Sequence, residues 1–144
     1  MSYTLTILGC GYIGSALAQS ALQKGWKVTA LTRNRETAEN LEKMGIQKVV
    51  ASYLNNDEWH SHLDANQDFV VNCVGASSPT NEGYVESYIE GQKSVIKWAE
   101  SGDIKTFIFT SSCSVYPQTG RKLVDETASS AGVSEKGGLL LAAE

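Results

Sequence analysis

Gly9, Gly11 and Gly14 stand in "GCGYIG", three bare positions out of six, and helix-forming residues follow at once. A backbone bared in this way can be approached closely, and the spacing suits an anion. Gly9 permits a tight turn, Gly11 lets the main chain meet a pyrophosphate, and Gly14 lets the following helix lie close to a sheet. The first helical residues, Tyr12 and Ile13, then offer unpaired N–H groups and a partial positive charge. The plain alternative is a strand-to-helix turn with no ligand. The glycines sit between a predicted strand and a predicted helix, which favours the anion site.

The end of the second predicted strand should tell which dinucleotide such a turn serves. An acidic residue there would accept hydrogen bonds from a ribose 2′-OH, as in NAD sites. The chain instead reads "ALTRNRET", with Arg33 and Arg35 ahead of the first acid, Glu36. A guanidinium suits a 2′-phosphate through paired, charge-assisted hydrogen bonds. NADP is therefore expected over NAD, the alternative being that both arginines lie on a solvated loop.

Other reactive residue types carry weaker signals. Cys10 and Cys113 flank the expected cleft, but free cysteines are more often small buried packers. His60 and His62, with Asp57 and Asp64, could suggest a metal. Two histidines on a polar segment rarely suffice for one, and no metal is expected. The chain contains no G-x-S-x-G, which argues against a serine hydrolase.

These residues need elements to position them. Leu5 to Leu8, Val28 to Leu31, Lys48 to Ala51, Phe69 to Val74 and Phe107 to Thr110 read as strands. Ile13 to Lys24 and Glu36 to Met44 read as helices closed by Gly25 and Gly45, and Asp57 to Leu63 as one or two helical turns. Tyr84 to Glu100 is the strongest helix, and "GGLLLAAE" looks helical. Strands alternate with helices and are continuous apolar runs, the signature of a parallel sheet covered on both faces. Right-handed crossovers lead to a doubly wound α/β sheet of Rossmann type, in the order 3-2-1-4-5. Its crevice opens beside the ends of strands 1 and 4, where "GCGYIG" meets "VGASS".

The chain has 144 residues, 42% of them apolar and 19% charged, the balance of one soluble domain spanning 1–144. A net charge of −4 argues against a nucleic-acid surface. No apolar run approaches the roughly 20 residues that span a bilayer, so no membrane partner is expected. The start, "MSYTLTILG", lacks the basic region of a signal peptide. Three cysteines without metal-ligand spacing point to a reducing cytoplasm.

With Gly9 to Gly14, Arg33, "NCVGAS" and "FIFTSSCSVYP" in order, the chain resembles the extended short-chain dehydrogenase/reductase superfamily, most of all its NAD-dependent epimerase/dehydratase branch. The resemblance runs from Thr4 to Glu144, and "TSSCSVYP" is its most specific piece. It implies an oxidoreductase or epimerase acting on a small-molecule substrate. Ser112 would hydrogen-bond the substrate's reacting oxygen. Tyr116, in the recurring Val-Tyr block, is a candidate for chemistry, although a structural role is the better expectation. Val74, Gly75 and Ala76 would lie along the cofactor.

The family's acid–base tyrosine, followed four residues on by lysine, is missing: "SSAGVSEKGGLLLAAE" contains no tyrosine. Sliding the alignment places Ser134 or Lys136 there, and neither is a good substitute. A non-catalytic sensor of NADP(H) is the rival reading, and a flavodoxin-like mononucleotide domain a third. Members of the family are longer, so the chain is expected to be an amino-terminal portion lacking the C-terminal part of the family fold. On helix 84–100, Tyr84, Tyr88 and Trp98 are expected to reach beyond the sheet, either to a second subunit in a homodimer or over a loop of their own chain.

Overall fold

The computed structural model describes residues 2–144. Five parallel strands form one sheet in the order β3-β2-β1-β4-β5: β1 (Thr4–Leu8), β2 (Lys27–Thr32), β3 (Lys48–Ala51), β4 (Gln67–Asn72) and β5 (Ile104–Phe109). The expected order and class are both observed. β1 is central, and at its end Leu8 is in register with Leu31 of β2 and Asn72 of β4. Three strand ends therefore reach the same edge of the sheet together. The order of connection reverses between β1 and β4, where a crevice must open.

Successive side chains of a strand point to opposite faces, and here both faces are covered. On one face Leu5, Ile7, Val28, Ala30 and Val71 pack with Ala18 and Ala21 of helix α1 (Tyr12–Gln23) and Leu41 of helix α2 (Arg35–Lys43). On the other, Leu8, Leu31 and Val70 meet Leu54, Trp59, Val95 and Trp98. A fully buried side chain of this size contributes about 1.5–3 kcal/mol, so neither face tolerates a polar residue cheaply.

The ambiguous segment near residue 60 is a 3-10 turn, Asp57–Ser61, begun by the Asn56 side chain accepting from the Glu58 N–H. The long helix starts earlier than expected. Thr80 caps α3 (Asn81–Tyr84), a π turn occupies Val85–Glu90, and α4 (Gly91–Ala99) completes one rod. Trp98 takes the second of its two expected roles, covering a segment of its own chain: it is buried, tilts against Trp59, and donates its indole N–H to the Leu63 carbonyl at 2.8 Å. Tyr84 and Tyr88 tilt together at 5.3 Å, and the π turn that carries Tyr88 packs on helix α5 (Glu135–Ala143). β5 begins at Ile104 rather than Phe107, because the exposed polar residues Lys105 and Thr106 hide the start of an edge strand. Among the described residues no helix is long and apolar enough to cross a membrane.

Candidate functional site

The glycine turn is fixed to both neighbouring strands. Gly9 and Cys10 each donate a backbone N–H to the Leu31 carbonyl, at 3.0 and 2.8 Å, and the Cys73 N–H reaches the Leu8 carbonyl at 2.9 Å. Gly9 has φ +76°, and a Cβ built there would fall 2.4 Å from the Cα of Val74. Only glycine fits that turn without moving β4's end. Gly14 packs as expected: an added Cβ would meet Ile7 at 3.0 Å and the thiols of Cys10 and Cys73 at 3.2 and 3.3 Å. Gly11 differs from both. Its added Cβ would meet only the Gly9 carbonyl oxygen, at 4.0 Å, and otherwise faces open space.

α1 starts on Gly11 with no side-chain cap and no acid in its first turn. α2, α3 and α5 are each capped by a side chain (Asn34, Thr80 and Ser134) and carry an acid in the first turn (Glu36, Glu82 and Glu135). The unpaired N–H groups of α1 thus keep their partial positive charge for a ligand.

That end opens on a cleft of about 420 Å³, a usual size for a small-molecule site. Gly9, Gly11, Tyr12, Ile13, Arg33, Val74 and Gly75 all line it. Gly14 lies behind the turn, and Arg35 opens α2 outside the lining. Ala76 sits at the rim, where its carbonyl accepts from Nη1 of Arg33 at 3.4 Å. The floor includes Cys73, whose thiol donates to the Gly9 carbonyl at 3.4 Å and is pushed up in pKa by burial. Cys10 is fully buried in the core beneath α1, and burial pushes its thiol up to about 12, so it is no nucleophile. Cys113 is exposed on the turn after β5.

Ser112 and Tyr116 stand apart from the cleft lining. Ser112 begins the 3-10 turn Cys113–Val115, its Oγ accepting from the N–H of Ser114 at 3.2 Å. The Tyr116 N–H closes that turn on the Cys113 carbonyl at 3.1 Å. α5 presses against it, a Cβ on Gly137 falling 2.3 Å from the Ser114 carbonyl oxygen. The two histidines diverge. His60 Nε2 pairs with Ser94 Oγ at 2.9 Å beside Asp57, whereas His62 lines a separate groove at the opposite end of the strands, with Lys27 and Lys48.

Ser77, within "VGASS", lines the cleft; the sequence pattern did not mark Ser52, Tyr53 and Asn55, which form one wall from a loop after β3, or Glu86 and Ser87. Glu86 and Ser87 stand on the π turn, where both bond to Ser77 of the loop after β4. Arg33 is the only cation and Glu86 the only anion among the lining residues.

The model of the NAD dependent epimerase/dehydratase family matches residues 5–134. Protein YeeZ of Escherichia coli K12 is 28% identical over 117 residues, 78% of this chain and 41% of that protein. The chain spans 31% to 41% of the length of the curated relatives it matches. A UDP-glucose-4-epimerase from Stenotrophomonas maltophila, solved with bound NAD, superposes with a TM-score of 0.80 at 21% identity, over 97% of this chain and 46% of that one. A short-chain dehydrogenase/reductase superfamily protein from Agrobacterium tumefaciens, also with bound NAD, gives 0.79 at 18% identity, over 98% and 43%. At such identities the two structures establish the fold alone.

Proposed function

Because the chain belongs to the NAD dependent epimerase/dehydratase family, we propose that its cleft holds a nicotinamide dinucleotide, NADP(H) in preference to NAD(H), for oxidoreductase or epimerase chemistry on a small molecule. The observation that carries this reading is the bare start of α1, uncapped and with open space at Gly11. A diphosphate there would accept from the N–H groups of Tyr12 and Ile13. Val74 and Gly75 would flank the dinucleotide on the β4 side. Arg33 would exchange its long bond to the Ala76 carbonyl for the 2′-phosphate. A charge-assisted contact of that kind contributes about 1.5–3 kcal/mol, roughly ten- to a hundredfold in affinity.

When bound, the dinucleotide gives or takes a hydride. The resemblance assigns Ser112 to hold the substrate oxygen through its hydroxyl, and Tyr116 lies on the same turn. Titration calorimetry with NADP⁺ and NAD⁺, on the protein and on Arg33→Ala, tests the binding. The protein should prefer NADP⁺ and the variant should lose that preference. Absence of heat with either dinucleotide would overturn the proposal.

One observation favours a second reading, a dinucleotide sensor without turnover. The helix after β5 offers no tyrosine: Ser134 caps it, its Oγ accepting from the Gly137 N–H, and Lys136 is directed at the Pro79 carbonyl and the Tyr84 ring. NADPH consumption across a panel of aldehydes and ketones separates the two. Turnover supports the enzyme, and tight binding without turnover supports the sensor.

A further inference from the structure

The cleft carries one carboxylate that no step so far has used. Glu86 stands on the π turn and lines the cleft. It is held there. Its Oε2 accepts from the hydroxyl of Ser77 at 2.9 Å, and the neighbouring Ser87 Oγ accepts from the Ser77 N–H at 2.8 Å. Residues 76 and 77 are thus gripped from two sides, by Arg33 through the Ala76 carbonyl and by the π turn through Ser77. The cleft's only cation and only anion are tied to adjacent residues of one loop, and no ion pair joins them among the described residues.

A lone carboxylate in a cleft suits ribose hydroxyls and opposes phosphate. The acid that the end of β2 lacks is therefore supplied from another element. We propose that Glu86 is a second specificity-determining residue of the cleft, acting against Arg33: it disfavours a 2′-phosphate, tolerates a 2′-hydroxyl, and so limits the preference for NADP(H). The inference rests on the proposed dinucleotide site.

The size of the effect follows from Coulomb's law. At a separation of about one Debye length, a carboxylate and a phosphate carrying nearly two charges alter affinity by about three- to tenfold at low salt. The test is the ratio of Kd for NAD⁺ to Kd for NADP⁺, measured by calorimetry on the parent protein, Glu86→Gln and Glu86→Asp. Glu86→Gln should raise the ratio about three- to tenfold, mostly through tighter NADP⁺ binding, and the gain should shrink as salt is added. Glu86→Asp should stay near the parent. Glu86 is exposed, so the melting temperature of each variant should match the parent's and confirm folding. If the parent binds neither dinucleotide, the proposed function fails. If the parent binds and the glutamine variant leaves the ratio unchanged, or moves it toward NAD⁺, the role given to Glu86 is wrong.

Discussion

Two alanines on one turn should have opposite consequences, and the structure says which is which. In Gly9→Ala the new Cβ would lie 2.4, 2.6 and 2.9 Å from the Cα, N and Cβ of Val74, on a residue whose φ is +76°. Backbone atoms cannot swing aside as a side-chain tip can, so the β1 and β4 ends must separate by roughly an ångström. The left-handed conformation costs a non-glycine residue about 1–2 kcal/mol, and overpacking of this kind adds about 1–3 kcal/mol. A loss of about 2–5 kcal/mol lowers the melting temperature of a chain this size by on the order of 10 °C.

In Gly11→Ala the Cβ meets nothing closer than 4.0 Å. The protein should lose about 1 kcal/mol or less, the difference between glycine and alanine at a helix start. The same methyl would, however, fill the space that a diphosphate needs, and losing a charged hydrogen bond there costs tenfold or more in affinity. Thermal denaturation followed by calorimetry with NADP⁺ reads both quantities. The expected pattern is an unstable Gly9 variant and a stable Gly11 variant that binds poorly. A stable Gly9 variant would refute the packing argument, and a Gly11 variant with parental affinity would refute the placement of the ligand.

Three further outcomes follow from the same structure. Alkylation with N-ethylmaleimide, followed by mass spectrometry, should modify exposed Cys113 first. Cys73 should react slowly and be protected by NADP⁺, and Cys10 should not react, its thiol being buried with a pKa of about 12. Stability should also depend on pH through His60, whose pKa is lowered by burial, against the attraction of Asp57 and with the repulsion of Lys97. The folded state then binds fewer protons, so stability holds above the unfolded value near 6.5 and falls as pH drops below it; in His60→Gln the decline of melting temperature between pH 7.5 and 5.5 should be shallower. Finally, Ser112→Ala should lower any carbonyl reduction about tenfold or more with dinucleotide affinity unchanged, since Ser112 stands outside the cleft lining.

The sheet order was legible because the central strands are buried on both faces and therefore read as largely apolar runs, as Leu5 to Leu8 does around Thr6. The glycine turn was legible for a related reason, since Gly9 and Gly14 answer separate steric demands, against Val74 and against Ile7. Which of its two expected roles Trp98 takes was not legible, because apolar residues on half of a helix do not reveal which finds a hydrogen-bond acceptor in its own chain; the Leu63 carbonyl that receives its N–H is 35 residues away. Ser52 to Asn55 left no signal, because a loop that forms a wall carries no periodicity. Glu86 was hidden because one carboxylate on a helix of mixed charge does not show which loop it will meet; the Ser77 hydroxyl it accepts from lies 9 residues away.

The claim beneath all of this is that the open end of α1 receives the diphosphate of a nicotinamide dinucleotide. Amide resonances of a ¹⁵N-labelled sample, followed while NADP⁺ is added, read that contact most directly. Gly11, Tyr12 and Ile13 should move first and furthest, together with Val74 and Gly75, while Lys27 and Lys48 at the far edge stay in place. Saturable shifts centred elsewhere, or an unmoved glycine turn at millimolar NADP⁺, would contradict the account.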